Sequence, residues 1–384
     1  MMTRTVRCAA VAAGLTLACR AVAAAAAITP DPAGMVVALP APAFPHWVWV
    51  NDIVFSHMSD GQARLVDGDT GRVLGSLSTG FAFERVVPAK DGKVIFSPET
   101  YFSRGTRGAR TDVVTLYDAV HLSPLGEIII PPKRAVTMPM MADAALTDDG
   151  SFLLIYNYTP AQSVTVVDTR RRRFAGEIET PGCALVYPTG PRSFFSICAD
   201  GALLDVHLDE AGHVSSRVHT RDFFDVSSDP VTEKGVRLGS RWLFVSYGGT
   251  IYSVDIKPRG LEAGPRWPLL SDAERRQKWR PGGLQQLAVQ GPDLLYSIMH
   301  QGGPETHKDP GKEIWVYDLD RQRRVRRIAL RSPAGSIQVT RDQRPLLFAA
   351  FIGSTTLEVY DAQTGRYLRS VEDVGTTPTL LVTP

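Results

Sequence analysis

Short runs of alternating apolar and polar residues, nearly all reaching an aspartate and passing into a turn, recur seven times along the chain. They read ARLVDGDTG at 63–71, DVVTLYDAV at 112–120, SVTVVDTRR at 163–171 and ALLDVHLDEAG at 202–212. The phrase returns as TIYSVDIKPRG at 250–260, EIWVYDLDRQ at 313–322 and TLEVYDAQTG at 356–365. A period of two sends successive side chains to opposite faces, which marks half-buried strands. Copies roughly fifty residues apart are the spacing of a radial array of small sheets. The expected fold is therefore all-β, a seven-bladed β-propeller of four-stranded antiparallel blades.

Within each unit, Gly, Pro, Asp and Asn break the sequence into four short strands. In the last unit the apolar PLLFAAFIG at 345–353 reads as the inner strand. TLEVYD and RYLRSVED follow, and TPTLLVTP at 377–384 completes the unit. The same frame opens the earlier units with HWVWVND, KVIFSPETYFS, SFLLIYNYT, RSFFSICADG and RWLFVSYGG. MVVALPAP at 35–42 is expected to pair with the C-terminal sheet and close the ring, removing free edges. A helix is predicted only at 271–279, behind a Ser cap and ahead of Pro281. Asp67, Asp118, Asp168, Asp255, Asp318 and Asp361 sit where strand gives way to turn, so each is read as a turn-maker bonding the following backbone.

The first 27 residues differ in kind. Arg4 and Arg7 precede an apolar run to Ala18, and Ala-rich sequence continues to Ala27, the layout of a cleaved secretory signal peptide. Arg20 interrupts it, and Leu17-Ala18-Cys19 partly matches a lipoprotein box. Residues 28–384 then form the propeller. Removing 1–27 takes three arginines from 42 basic residues and none from 40 acidic ones, which leaves a formal charge of −1. The basic balance of the whole chain thus gives no argument for nucleic acid. Basic runs at 170–173 and 321–327 follow strand ends and read as solvated turns.

Two of the four cysteines leave with the leader, and Cys183 and Cys198 remain. In an exported chain one disulfide is the simplest reading, and the two flank a turn between strands that can run antiparallel. Free thiols or a two-ligand metal site fit less well. The eight histidines form no HExxH motif and no tight cluster with acids. His207, His213 and His219 recur every six residues, a spacing that neither strands nor turns convert into a ligand set. GxSxG, P-loop, GxGxxG and CxxCH patterns are absent from the sequence. No catalytic residue and no metal ligand is assigned.

Long stretches resemble the heavy subunit of quinoprotein amine dehydrogenases, the methylamine and aromatic amine dehydrogenase family. ETYFSRGTRGARTDVVTLYD at 99–118, WRPGGLQQLA at 279–288 and MHQGGPETHKDPGKEIWVYD at 299–318 carry the likeness. DGDTGRVLG at 67–75 and the cysteine pair around YPTGP add to it. The resemblance implies a periplasmic heterotetramer of two heavy and two light subunits. It implies that tryptophan tryptophylquinone and the catalytic base sit on the light subunit, where primary amines become aldehyde and ammonia. Electrons then pass to a blue copper protein such as amicyanin or azurin. An absent catalytic motif is explained if the chemistry belongs to another chain.

The resemblance also implies residue roles. A Phe after the first-blade VND segment lines the amine channel in that family, and Phe55 is nearest that position. Arg104, Arg107 and Arg110 in the Gly-rich loop, with Trp279, Arg280 and Gln285, are candidates for the light-subunit interface. Gly-Pro-Glu-Thr-His-Lys at 303–308 departs from relatives that place a Trp beside the Glu. The alternative is a stand-alone periplasmic propeller that binds a ligand or peptide without redox activity.

Overall fold

The computed structural model describes residues 37–81, 83–134 and 138–384. The leader expected at 1–27 lies outside them, as do the first two residues of the 35–42 segment. Within 38–384 the chain forms seven antiparallel sheets, five of four strands and two of five. Among the described residues the one α-helix is Asp272–Arg276, with a Ser271–Glu274 capping box, so the Ser cap read from sequence is present.

Each blade's outer strand is largely exposed and its middle strands are buried, as Val214–His219 and Ser193–Cys198 show in blade 4. Apolar side chains of adjacent blades meet in seven clusters, one at each seam. The ring is therefore held by blade-to-blade burial rather than by a single central core. One seam shows how tight that packing is. A Cβ on Gly68 of blade 1 would lie 2.7 Å from the Phe348 ring of blade 7, so only glycine fits.

The strand frame differs from the expected one by a single strand. The apolar runs read as inner strands are second strands, and in four blades the inner one is shorter: Val87–Pro88, Ala144–Leu146, Val236–Leu238 and Ser336–Val339. Pro378–Val382 is not the fourth strand of blade 7 but the inner strand of blade 1, antiparallel to Trp47–Asp52. It performs the closure expected of 35–42, whose described residues form no strand. Inner strands of two to four residues carry too little alternation to register as a period-two signal.

Five of the six aspartates act as turn-makers. Asp118 accepts from the amides of Val120 and His121 at 2.9 and 2.7 Å, and Asp168 from Arg170 and Arg171 at 3.1 and 2.8 Å. Asp67, Asp318 and Asp361 accept from Asp69, Arg321 and Thr364. Asp255 departs from the pattern. Its strand runs on to Lys257, so it lies within the ladder opposite Arg241 and pairs with that guanidinium. In blade 4 the turn-maker is Asp209, which accepts from Ala211 N at 2.8 Å.

Candidate partner-docking face

Strand direction alternates across every blade, so the connections sort onto two faces. One face carries the aspartate turns and the links from inner to second strand. The other carries the loops from second to third strand and the crossings between blades. Phe55, Arg104, Arg107 and the 302–310 loop all belong to this second face.

Phe55 opens a 3-10 helix, Phe55–Asp60, and is 66% exposed. Its backbone is fixed from beneath. The buried Asp52 carboxylate accepts from the amides of Val54, Thr376 and Thr377 at 2.9, 2.7 and 2.8 Å. Phe55 N donates to Thr377 Oγ1 at 2.7 Å, and Val54 is turned into the left-handed region with φ 46°. A buried carboxylate holding three amides ties this turn to the crossing from blade 7. The result is an aromatic ring in solvent on a rigid base.

The Gly-rich loop of blade 2 folds as a short hairpin. Ser103 N donates to Ala109 O, and Arg104 N to Arg107 O, both at 2.9 Å. The side chains of Arg104 and Arg107 are exposed. Arg110 instead turns inward, forking onto buried Asp112 at 2.7 and 2.6 Å and reaching Arg134 O. Asp112 also accepts from Arg134 N, while the Arg134 side chain pairs with buried Glu84. This network fastens two blade crossings and takes up Nε and Nη2 of Arg110.

The WRPGG segment is divided as well. Half-buried Trp279 tilts against Trp315 with ring centres 5.0 Å apart, and Arg327 lies about equally over both rings. Arg280 is half-buried and its Nε has no hydrogen-bond partner among the described residues. Gln285 is buried: its Nε2 donates to Leu381 O at 3.0 Å and its Oε1 accepts from Leu381 N at 2.8 Å. It presents a peptide-like edge to the free side of the ring-closing strand, with no surface left for a partner. Of the six interface candidates, Arg104 and Arg107 are exposed, Trp279, Arg280 and Arg110 are partly so, and Gln285 is internal.

Sequence reading missed a stack on this face. Tyr247 and His307 lie ring on ring with centres 3.8 Å apart, joining the loops of blades 5 and 6. Burial, with Lys234 and Lys308 nearby, pushes His307 down to about 4, so the ring is neutral near pH 7. The two residues are 60 positions apart and share no motif; only the closed ring brings them together.

Among the described residues, one group has the spacing of metal ligands: Cys183, Cys198 and His219. Its two sulfurs are joined as a disulfide, the single bridge read from sequence, so it offers no thiolate.

The family model for the methylamine dehydrogenase heavy chain matches residues 45–384. The methylamine dehydrogenase heavy chain of Paracoccus versutus is 34% identical over 328 residues, covering 84% of this chain and 76% of that one. That of Methylorubrum extorquens is 32% identical over 330 residues, covering 84% and 79%. Among solved structures, a functionally unknown protein from Desulfotomaculum acetoxidans superposes with a TM-score of 0.60 at 11% identity, covering 88% of this chain and 98% of that one. That likeness bears on fold alone. The match to the family over nearly the whole propeller decides the rest: this chain belongs to the methylamine dehydrogenase heavy chain family.

Proposed function

We propose that this chain is the large, non-catalytic subunit of a periplasmic amine dehydrogenase, and that the face bearing Phe55, Arg104 and Arg107 docks its light subunit. The family match over residues 45–384 carries the reading. The chain's own tryptophans support placing the quinone elsewhere. Among the described residues their one close pair, Trp279 with Trp315, is tilted rather than stacked, and Trp315 is fully buried and covered by Arg324 and Arg327. Tryptophan tryptophylquinone on the light subunit supplies the electron sink that converts a primary amine to aldehyde and ammonia, and a blue copper protein takes the electrons.

This chain contributes position and shape. The Asp52 clamp holds Phe55 as one wall of the amine passage, where an aromatic ring excludes bulk by contact rather than by charge. Exposed Arg104 and Arg107 offer planar donors to light-subunit carbonyls and carboxylates. Two heavy and two light chains complete the assembly. Affinity purification of tagged heavy chain from its native periplasm tests the docking. The wild type should retain a stoichiometric small subunit, and R104E/R107E should lose most of it. Retention by both would move the interface off this hairpin, and a chain recovered alone would favour a stand-alone binding module.

A further inference from the structure

The centre of the ring holds a cavity of about 210 Å³, lined by residues of the inner strands and the crossings that lead into them. It adjoins a wider vestibule of about 890 Å³ on the aspartate-turn face, and Arg85, Arg237 and Arg341 line both. On the side toward the docking face, Lys234 lines the cavity. Its Nζ donates to Gly283 O at 2.5 Å and reaches His307 O at 3.4 Å. Gly283 has φ +117°, and a Cβ there would lie 2.6 Å from Gly335 O, so the crossing comes this close to the axis only as glycine.

The charges on this lining are unbalanced. Arg237 is neutralised by Asp148, onto which it forks. Arg85, Lys234 and Arg341 have no carboxylate within ion-pair distance among the described residues, and Glu233 is the one acid in the lining. Arg85 donates from Nε and Nη1 to the carbonyls of Met141 and Val86, its Nη2 has no partner among the described residues, and buried Asp143 acts on it only beyond ion-pair distance. Lys234 is buried, and burial together with Lys308 pushes it down to about 8, outweighing the opposite pull of Glu233. Gln286 adds a different signal. It is fully buried and donates to Thr232 Oγ1, yet its Oε1 has no donor among the described residues. A buried acceptor without a donor is costly unless something fills the site.

We propose that this inner channel binds a small oxyanion that carries one hydrogen, with Arg85, Lys234 and Arg341 facing its charge and Gln286 Oε1 accepting its hydrogen. Hydrogen phosphate and bicarbonate share that chemistry. Sulfate has the charge but no hydrogen to give. Sites built to bond a hydroxyl reject analogues that lack it, because the buried partner is left unpaired. The vestibule, which shares Arg85, Arg237 and Arg341 with the cavity, supplies the entry path.

Isothermal titration calorimetry on the full mature chain, at fixed pH and ionic strength, separates the possibilities. Phosphate or bicarbonate should bind saturably at one site, and which of the two does so identifies the source. Sulfate should bind at least about tenfold more weakly. K234M should weaken binding by a similar factor. R341Q, at the exposed mouth where folding does not depend on it, should weaken it less but measurably. Q286L should abolish the preference over sulfate. Equal heats for all three anions in wild type and R341Q, or no saturable heat from any of them, would overturn the proposal.

Discussion

Nε2 of His46 lies 3.1 Å from Oδ1 of Asp342, joining the start of blade 1 to a turn of blade 7 across 296 positions. Nδ1 of the same ring is 2.8 Å from Asp69, and Arg344 O is also 3.1 Å from Nε2. Acceptors face both nitrogens, and only the imidazolium donates from both. Burial is the largest single influence and lowers the pKa, but the two carboxylates together outweigh it and the net shift is upward. A raised folded-state pKa makes the contribution complete below the unfolded value of about 6.5 and lost as pH rises through the folded value. Denaturant unfolding of wild type and H46Q should differ by about 1–2 kcal/mol near pH 5.5, with the gap closing toward alkaline pH. A gap that is constant or widens with pH contradicts the charged clasp.

Gln285 matters to the same closure from the channel side. Its amide satisfies both the N–H and the C=O of Leu381, on the edge of Pro378–Val382 that no strand covers. Q285A strands both groups in a buried setting and should cost about 2–3 kcal/mol. Urea unfolding measures it, and a loss under half a kcal/mol would mean that water replaces the side chain.

The Cys183–Cys198 bridge spans 15 positions, a loop for which chain-entropy reasoning gives about 3 kcal/mol. The C183A/C198A double variant should lose that much in urea. Matching losses from the reductant-treated wild type and the double variant would assign the effect to the cross-link rather than to repacking.

These contacts also show where the sequence was legible. The seven aspartate phrases announced the architecture because alternation and turn chemistry are local, and Asp118 and Asp168 form the bonds that their positions imply. Asp255 broke the rule because the strand continues past it, a matter of ladder length rather than residue type. The ring-closing strand belongs to another blade than its place in the sequence suggests, for a related reason. TPTLLVTP reads as a strand, but its partner Trp47–Asp52 lies at the far end of the chain, and periodicity carries no information on pairing. Arg104, Arg107 and Arg110 look alike in sequence. Only Arg110 has Asp112 two residues on along the same strand, and that neighbour turns it inward.

Phe55 separates a channel role from a folding role. At 66% exposure with its backbone fixed by Asp52 and Thr377, its side chain has little to contribute to stability. F55A should unfold within about 0.5 kcal/mol of wild type. In the assembled enzyme it should shift the ratio of kcat/KM between methylamine and bulkier amines by about tenfold or more, mainly through KM. An unchanged ratio would place Phe55 outside the passage.

The division of labour between this chain and its partner is tested most directly by an absorption spectrum. The complex purified from native periplasm should show a visible quinone band that methylamine or another primary amine bleaches. The same chain stripped of its small subunit should show neither the band nor any response. A preparation with no small subunit, or a band that no amine bleaches, would contradict the assignment.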